Sequence, residues 1–321
     1  MSSADWPQHD KPAIIDTMNY GAIIKEIGRG AKGARDLDTA AAAALFGDIL
    51  DGAVPELELG AILIAFRIKS EALPELLGFK QAMDARTAQV VVPEGPRCVV
   101  LPTYNGARRQ ANLMPLVALL LAREGVPVLI QGRHDFETRV SPFELLAALD
   151  LHPASDAGEA SAQLAQRRVA CIGVDKLLPG LDPLLALRVR MGVRASGHTM
   201  AKLIDPCRGL SVRVVAVTHP EYLERMDDFL RADGGRAMLM RGTEGEIYAN
   251  PRRCPEMKVY VDGAASIGVP GEEGGAPPLA SLPDAPSVAA NATLIRSMLA
   301  GDTPVPGPIL AQVAALKRLA S

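Results

Sequence analysis

Residues 98–131 read CVVLPTYNGARRQANLMPLVALLLAREGVPVLIQ, and this stretch decides the fold. Cys98 to Leu101 is a short run of β-branched and apolar residues. Leu113 to Glu124 spaces its apolar residues as a helix does and stops at Gly125, after which Val126 to Gln131 is apolar again. Strand, helix and strand at this spacing predict a parallel sheet with crossover helices. The apolar run from Leu113 to Ala122 is about half of what a spanning helix needs and is closed by Arg123 and Glu124. It is expected to lie buried in protein, and no membrane is expected as a partner.

On the amino-terminal side, apolar residues recur every three or four positions from Tyr20 to Thr87. Asp38 is placed as a cap and Gly52 just past a helix end, so this stretch predicts consecutive helices. Residues 1–17 lack the basic start and apolar run of a signal peptide and read as a disordered leader. Val90 to Val92 reads as a further short strand. Beyond Gln131, Ser141, Pro142 and Glu144 form a capping box that opens a helix to Leu149. Val169 to Val174 and Val212 to Thr218 read as buried strands, and Asp182-Pro183 starts a helix toward Met191. Ala264 to Pro286, rich in Gly, Pro, Ala and Ser, reads as a surface loop, and two helices follow near Val288 to Leu299 and Pro308 to Leu319. The predicted class is α/β: a small helical domain over residues 18–88 and a larger domain over 89–321 with a mainly parallel central sheet.

A chain of 321 residues with 48% hydrophobic and 22% charged residues can bury two cores. Its net charge of −3 gives no general attraction for polyanions, so any such partner must be met by local clustering. Cys98, Cys171, Cys207 and Cys254 form no close pair, which excludes a zinc knuckle or a secreted disulfide framework and fits a reducing cytoplasm. His9, His134, His152, His198 and His219 show no ligand spacing, and no glycine-flanked serine supports a hydrolase triad.

Three stretches carry candidate chemistry. Pro102 to Asn112 joins a predicted strand to a predicted helix, on the ligand-binding edge of an open α/β sheet. Free amides at the helix start, with Arg108 and Arg109 beside them, favour phosphate; the alternative is a solvated basic loop. From Gln163 to Arg213, nine basic residues face three acids, a net of +6 in an acidic chain. This suggests either an anionic partner or ordinary ion pairing with acids elsewhere. Arg190 and Arg194 share a helical face if the helix runs that far. Finally, Glu244 and Glu246 in Arg241-Gly242-Thr243-Glu244-Gly245-Glu246 are expected to be solvated rather than metal-binding.

The order of a helical domain, the loop before Asn112, Gly132 after the next strand, Arg188 through Gly192-Val193-Arg194 to Leu203-Ile204-Asp205-Pro206, and the later Gly242-Thr243-Glu244-Gly245 turn resembles the anthranilate phosphoribosyltransferase family. The finer wording is similar to the YbiB group within that superfamily: Lys25-Glu26-Ile27-Gly28-Arg29-Gly30, Gly33-Ala34-Arg35-Asp36-Leu37, Tyr104-Asn105-Gly106-Ala107-Arg108 and Asn112-Leu113-Met114-Pro115. The resemblance implies a nucleoside phosphorylase or phosphoribosyltransferase-like fold, with helices from about 176 to 200 packing on the helical domain. It also implies a homodimer made through that domain. The family's Gly-Thr-Gly-Gly-Asp falls on Pro102-Thr103-Tyr104-Asn105-Gly106, its Lys-His-Gly on Ile130-Gln131-Gly132, and its magnesium-holding Asp-Glu pair on Ile247-Tyr248. By this resemblance neither magnesium nor any other cofactor is expected.

The resulting expectation is a DNA- or RNA-binding protein with little sequence preference, on a glycosyltransferase family 3 scaffold, with no catalytic residue assigned. The phosphate-contacting set comprises Asn105, Gly106, Arg108, Arg109, Asn112, Arg188, Arg190, Arg194 and Lys202. Aromatic residues are 4% of the chain, so base stacking is expected to be minor beside phosphate contacts. The alternative is an active pentosyltransferase, a phosphoribosyltransferase with an unknown acceptor.

Overall fold

The computed structural model describes residues 18–30, 32–133, 139–282 and 287–321, so the expected leader, His9 and His134 lie outside the described residues. Four helices come first: α1 (Tyr20–Ile27), α2 (Thr39–Leu50), α3 (Glu56–Lys69) and α4 (Leu73–Asp84). Their limits follow from local chemistry. The Asp38 carboxylate accepts the Ala41 N–H at 2.8 Å and caps α2, while Gly52, at φ 70°, turns the chain away after it. Glu75 is fully buried, yet it accepts N–H groups from Leu37 (2.8 Å) and Ala72 (2.7 Å) and the Lys69 ammonium (2.7 Å). One carboxylate thus ties α3, α4 and the α1–α2 connection together. Phe79 stacks on Phe46 at 4.5 Å and meets Phe66 edge-on at 5.3 Å, in the offset and T-shaped geometries aromatic rings prefer.

The sheet and its covering helices follow in the order β1 (Cys98–Thr103), α5 (Met114–Arg123), β2 (Val128–Gly132), α6 (Pro142–Ala148), α7 (Ala157–Arg167), β3 (Val169–Gly173), α8 (Val174–Leu177), α9 (Leu181–Met191), α10 (Ser196–Met200), β4 (Ser211–Val217), α11 (Pro220–Asp233), β5 (Arg236–Arg241), β6 (Met257–Val261), β7 (Ala264–Val269), α12 (Val288–Ala300) and α13 (Gly307–Ala320). The strand order is β3-β2-β1-β4-β5-β6-β7; the first five are parallel and the last two antiparallel. Alternate side chains of β1 feed two cores, Val99 and Leu101 toward α5, α6, α12 and α13, and Cys98 and Val100 toward α7. On the β4–β5 side, Val215, Leu239 and Phe229 join the core of the first four helices, as do Leu181, Leu184 and Leu185 of α9.

Three expectations need correction. Val90 to Val92 is not a strand: the Val90 N–H donates to the Pro206 carbonyl and the Val91 N–H to Ser161 Oγ, so the segment is held outside the sheet. Ala264 to Val269 is not loop but β7, a half-exposed edge strand whose small residues hid its pairing with β6. The helix carrying Arg190 ends at Met191, with Gly192 left-handed after it, so Arg190 and Arg194 do not share a helical face. All four cysteines are buried and free.

The sheet order fixes where a ligand can lie. The chain runs from β1 outward to β2 and β3, then returns to β4 on the other side of β1, so the switch point falls between β1 and β4.

The helical packing yields a direct test. A Cβ on Gly78 would fall 2.4 Å from the Thr39 carbonyl oxygen and 2.7 Å from Ala42 Cβ, backbone and packed core that cannot give way. Gly78→Ala is expected to lower stability by about 1–3 kcal/mol, the usual cost of overpacking, measurable as a lower urea midpoint at unchanged slope.

Candidate functional site

At the carboxyl end of β1 the backbone turns through Thr103-Tyr104-Asn105-Gly106 and continues as an irregular loop until α5 begins at Met114. Its amides are not free. Glu246, fully buried on the β5–β6 connection, accepts the Thr103 hydroxyl at 2.5 Å and the Asn105 and Gly106 N–H groups at 2.8 and 2.9 Å. Glu244 accepts the N–H groups of Arg108, Arg109 and Gln110 at 3.0, 2.9 and 3.2 Å. A tight turn aims the two carboxylates: Glu244 and Gly245 sit at φ 52° and 89°, and the Gly245 carbonyl accepts Asn105 Nδ2 at 2.7 Å. The expectation of solvated glutamates is therefore overturned, because five backbone donors and a hydroxyl surround them. So is that of open amides at the start of α5: Arg108 and Arg109 lie upstream of the helix, with exposed side chains and engaged backbones.

Other expected residues separate into groups. Asn112 is buried, and its Oδ1 accepts the Met114 N–H at 3.1 Å, a structural role at the start of α5. Arg190 is exposed and pairs with Glu56 at 3.2 Å. Arg194 donates to Asn105 Oδ1 at 2.5 Å, and Lys202 Nζ to the Ala216 carbonyl at 2.9 Å; Arg188 and Arg194 line one small cavity with Tyr104 and Asn105. The net +6 segment does not make one face. Arg213 is buried on β4 and pairs with Asp233, and Arg168 sits at the amino-terminal end of β3, the opposite edge of the sheet.

The crevice at the switch point also draws in cations that the sequence did not single out. Arg139 donates to the Asn105 and Gly106 carbonyls at 3.4 Å. Burial lowers the Arg194 pKa, and the neighbouring Arg188, Arg139 and Arg67 lower it further. Lys202 is held down to about 8, chiefly by burial and then by Arg194, with Glu246 pulling the other way. Arg188 from α9, Arg194 from the α9–α10 connection and Lys202 from the turn after α10 meet as grouped from the sequence, whereas Arg67 joins them from α3 with no local signal. The β1 and β2 ends are joined by Tyr104, whose hydroxyl donates to Gln131 Oε1 at 2.5 Å while Gln131 Nε2 donates to the Ala201 carbonyl at 3.1 Å. Gly132 is sterically required: a Cβ there would lie 1.7 Å from the Thr103 carbonyl oxygen. Electrostatically the site gathers several cations, while the carboxylates of Glu244 and Glu246 accept backbone donors.

Comparison with known proteins agrees with this architecture. The family described as "Glycosyl transferase family, helical bundle domain" matches residues 22–87. Protein YbiB of Escherichia coli is 43% identical over 299 residues, covering 92% of this chain and 93% of that protein. The chain belongs to the YbiB group of the anthranilate phosphoribosyltransferase superfamily. Beyond the YbiB group, an anthranilate phosphoribosyltransferase from Methylocella silvestris is 29% identical over 220 residues, 68% of this chain and 62% of that enzyme. The fold is shared with anthranilate phosphoribosyltransferase from Thermus thermophilus, at a TM-score of 0.72 and 21% identity over 93% of this chain and 89% of that one. The enzyme from Saccharomyces cerevisiae, solved in complex with PRPP and Mg, gives a TM-score of 0.72 at 14% identity over 94% and 88%.

The Glu246 geometry predicts a large energetic role. Glu246→Ala strands two buried backbone N–H groups and a buried hydroxyl. It is expected to cost about 3 kcal/mol, and Glu246→Gln less, because one amide oxygen still accepts. Chemical denaturation of both variants measures the difference.

Proposed function

We propose that this protein binds DNA or RNA with little regard to sequence, through phosphate contacts made by arginines at the carboxyl edge of the sheet. The observation that carries this reading is the capture of five amides of the β1 loop by Glu244 and Glu246. By resemblance, this loop holds the diphosphate of the substrate in the transferases, and here carboxylates already fill it. The guanidiniums of Arg108 and Arg109 remain exposed at its rim, with Arg139, Arg188 and Arg194 behind them. Flexible side chains of this kind suit a polyanion lying across the crevice.

The metal-holding positions support the same reading. Ile247 and Tyr248, where the resemblance puts the magnesium acids, are buried, and the Tyr248 hydroxyl donates to the Ala111 carbonyl at 3.0 Å. A hard divalent cation needs oxygen ligands that isoleucine lacks, so these residues do not fit magnesium. Without it, a departing diphosphate lacks the divalent cation that would bridge and neutralise it.

A homodimer through the helices belongs to this proposal. The outer face of α3 exposes Leu57, Ile64 and Ile68 at helical spacing, with Leu57 82% and Ile68 58% accessible, an apolar stripe that water disfavours. Among the described residues no helix is long and apolar enough to cross a membrane, and the free cysteines suit a reducing cytoplasm.

Gel-shift titrations test the nucleic-acid reading. Affinity is expected to fall by roughly two to four powers of ten between about 50 and about 200 mM salt, equally for unrelated sequences. Replacing Arg108 and Arg109 together with alanine should weaken all sequences alike and flatten the salt slope by about one per lost contact. No binding at low salt, or strong sequence discrimination, overturns it, and chelator-sensitive phosphoribosyl transfer well above background would put the pentosyltransferase in its place.

Light scattering at micromolar concentration is expected to give twice the chain mass, and the double substitution Ile64→Asp, Ile68→Asp a single chain mass with unchanged circular dichroism. A wild-type mass of one chain removes the dimer.

A further inference from the structure

The opposite end of the sheet carries a second concentration of positive charge. Here, where the parallel strands begin, four guanidiniums are seated on main-chain carbonyls: Arg97 on Gly209 at 2.5 Å, Arg123 on Leu299 at 2.6 Å, Arg168 on Glu94 at 3.3 Å and Arg236 on Leu319 at 2.8 Å. A carbonyl orients a guanidinium without neutralising it, and among the described residues none of the four forms an ion pair. Main-chain bonds knit the edge into one surface, because the Arg97 N–H donates to the Ala320 carbonyl of α13 and the Val128 N–H to the Arg168 carbonyl.

Three more arginines stand on this edge with exposed side chains: Arg167 at the end of α7, Arg208 before β4 and Arg318 in the last turn of α13. Among the described residues none of the three makes a hydrogen bond or ion pair, although Arg208 is near enough to feel Asp84, which Lys80 already holds at 2.5 Å. The local acids do not balance the arginines. Lys317 takes Glu124 and Arg213 takes Asp233, which leaves Glu94, Asp262 and Asp302. The carboxyl ends of α5, α7, α11, α12 and α13 emerge here too, and their partial negative charges account for Arg123 and Arg236, which bond terminal carbonyls of α12 and α13. Arg167, Arg208 and Arg318 bond no such carbonyl and keep their donors for a ligand.

We propose that this amino-terminal edge is a second surface for a phosphate backbone, so that one chain holds two separate nucleic-acid segments, one at each end of its strands. The class of ligand rests on the nucleic-acid reading above, and the site rests on the arginines of this edge alone. From β3 to β5 the edge spans four strand spacings, about 19 Å, enough for about half a turn of duplex. Strands of five to seven residues hold the two edges about 20 Å apart, so a segment lying across one edge does not touch the other. Guanidiniums already held in place lose little entropy on meeting phosphate and take it bidentately. A protein partner fits less well. Among the described residues, Leu210 and Val261 are the exposed large apolar side chains of this edge, too few for the apolar centre of a protein interface.

Isothermal titration calorimetry with a single strand of about 12 nucleotides, in about 50 mM salt, counts the segments held per chain. Two strands per chain are expected. The triple variant Arg167→Ser, Arg208→Ser, Arg318→Ser should bind one, at an unchanged melting temperature, because these side chains bond nothing in the fold. Arg108→Ala with Arg109→Ala should weaken the other event, and both sets together should bind roughly tenfold more weakly than either alone. Two strands still bound by the triple variant, or one bound by it and by the wild type alike, overturns the proposal, leaves the nucleic-acid reading standing and opens this edge to an acidic protein. A single strand lost in the triple variant but kept in the Arg108 and Arg109 variant supports this surface and removes the carboxyl-edge reading. No strand bound by the wild type removes both.

Discussion

The buried Glu246 carboxylate holds the two halves of the ligand edge in register. It reaches from the β5–β6 connection across the top of β4 to the β1 loop, satisfying a hydroxyl and two amides that would otherwise be stranded away from water. Everything around it follows. Asn105 is fixed at its backbone by Glu246, at Nδ2 by the Gly245 carbonyl and at Oδ1 by Arg194, so the position of the α9–α10 connection is set by the same loop. A buried charge is tolerable only when hydrogen-bonded and compensated; two amides and a hydroxyl bond this one, and Arg139 and Lys202 lie near enough to feel it.

That constraint separates scaffold from chemistry. A strand-to-loop turn with exposed amides is an anion site, and the superfamily fold places one at the switch point of the sheet. Here Glu244 and Glu246 accept five of that loop's amides while the fold's geometry is kept. Arg139, Arg188 and Arg194 gather beside the loop, where burial first and neighbouring guanidiniums second lower the basicity of Arg139 and Arg194. The fold is shared with the transferases, and architecture alone does not assign activity.

The sequence disclosed what local chemistry controls. Asp38, Ser141 and the glycine after α2 mark their turns because a cap acts within three or four residues, and β1, α5 and β2 announce themselves by periodicity. It concealed what distance controls. Glu246 and Gly106 are 140 positions apart, and a buried acid looks like a surface acid until its partners are known. Arg67 and Arg139 carried no motif, while the basic stretch around Arg190 and Arg213 was misleading, since neighbours in sequence diverge to Glu56 and Asp233. β7 escaped because Ala264, Ser266 and Gly268 have little strand preference and only edge pairing shapes them.

The way α9 and α10 are threaded has a mechanical consequence. They come from the middle of the chain, between β3 and β4, yet Leu181, Leu184 and Leu185 share a core with Leu45, Phe46 and Leu76 of the first helices. The polypeptide therefore crosses from helices to sheet after α4, back after β3, and over again before β4. With Val215 and Leu239 of the sheet in that same core, the helices are held to the sheet by three chain crossings and by shared packing. Arg67, Arg188 and Arg194 come from the helical side, whereas Lys202 is held to β4 through the Ala216 carbonyl. The spacing of the charges is therefore set by how the helices seat on the sheet, and the Arg194 to Asn105 bond spans that seat.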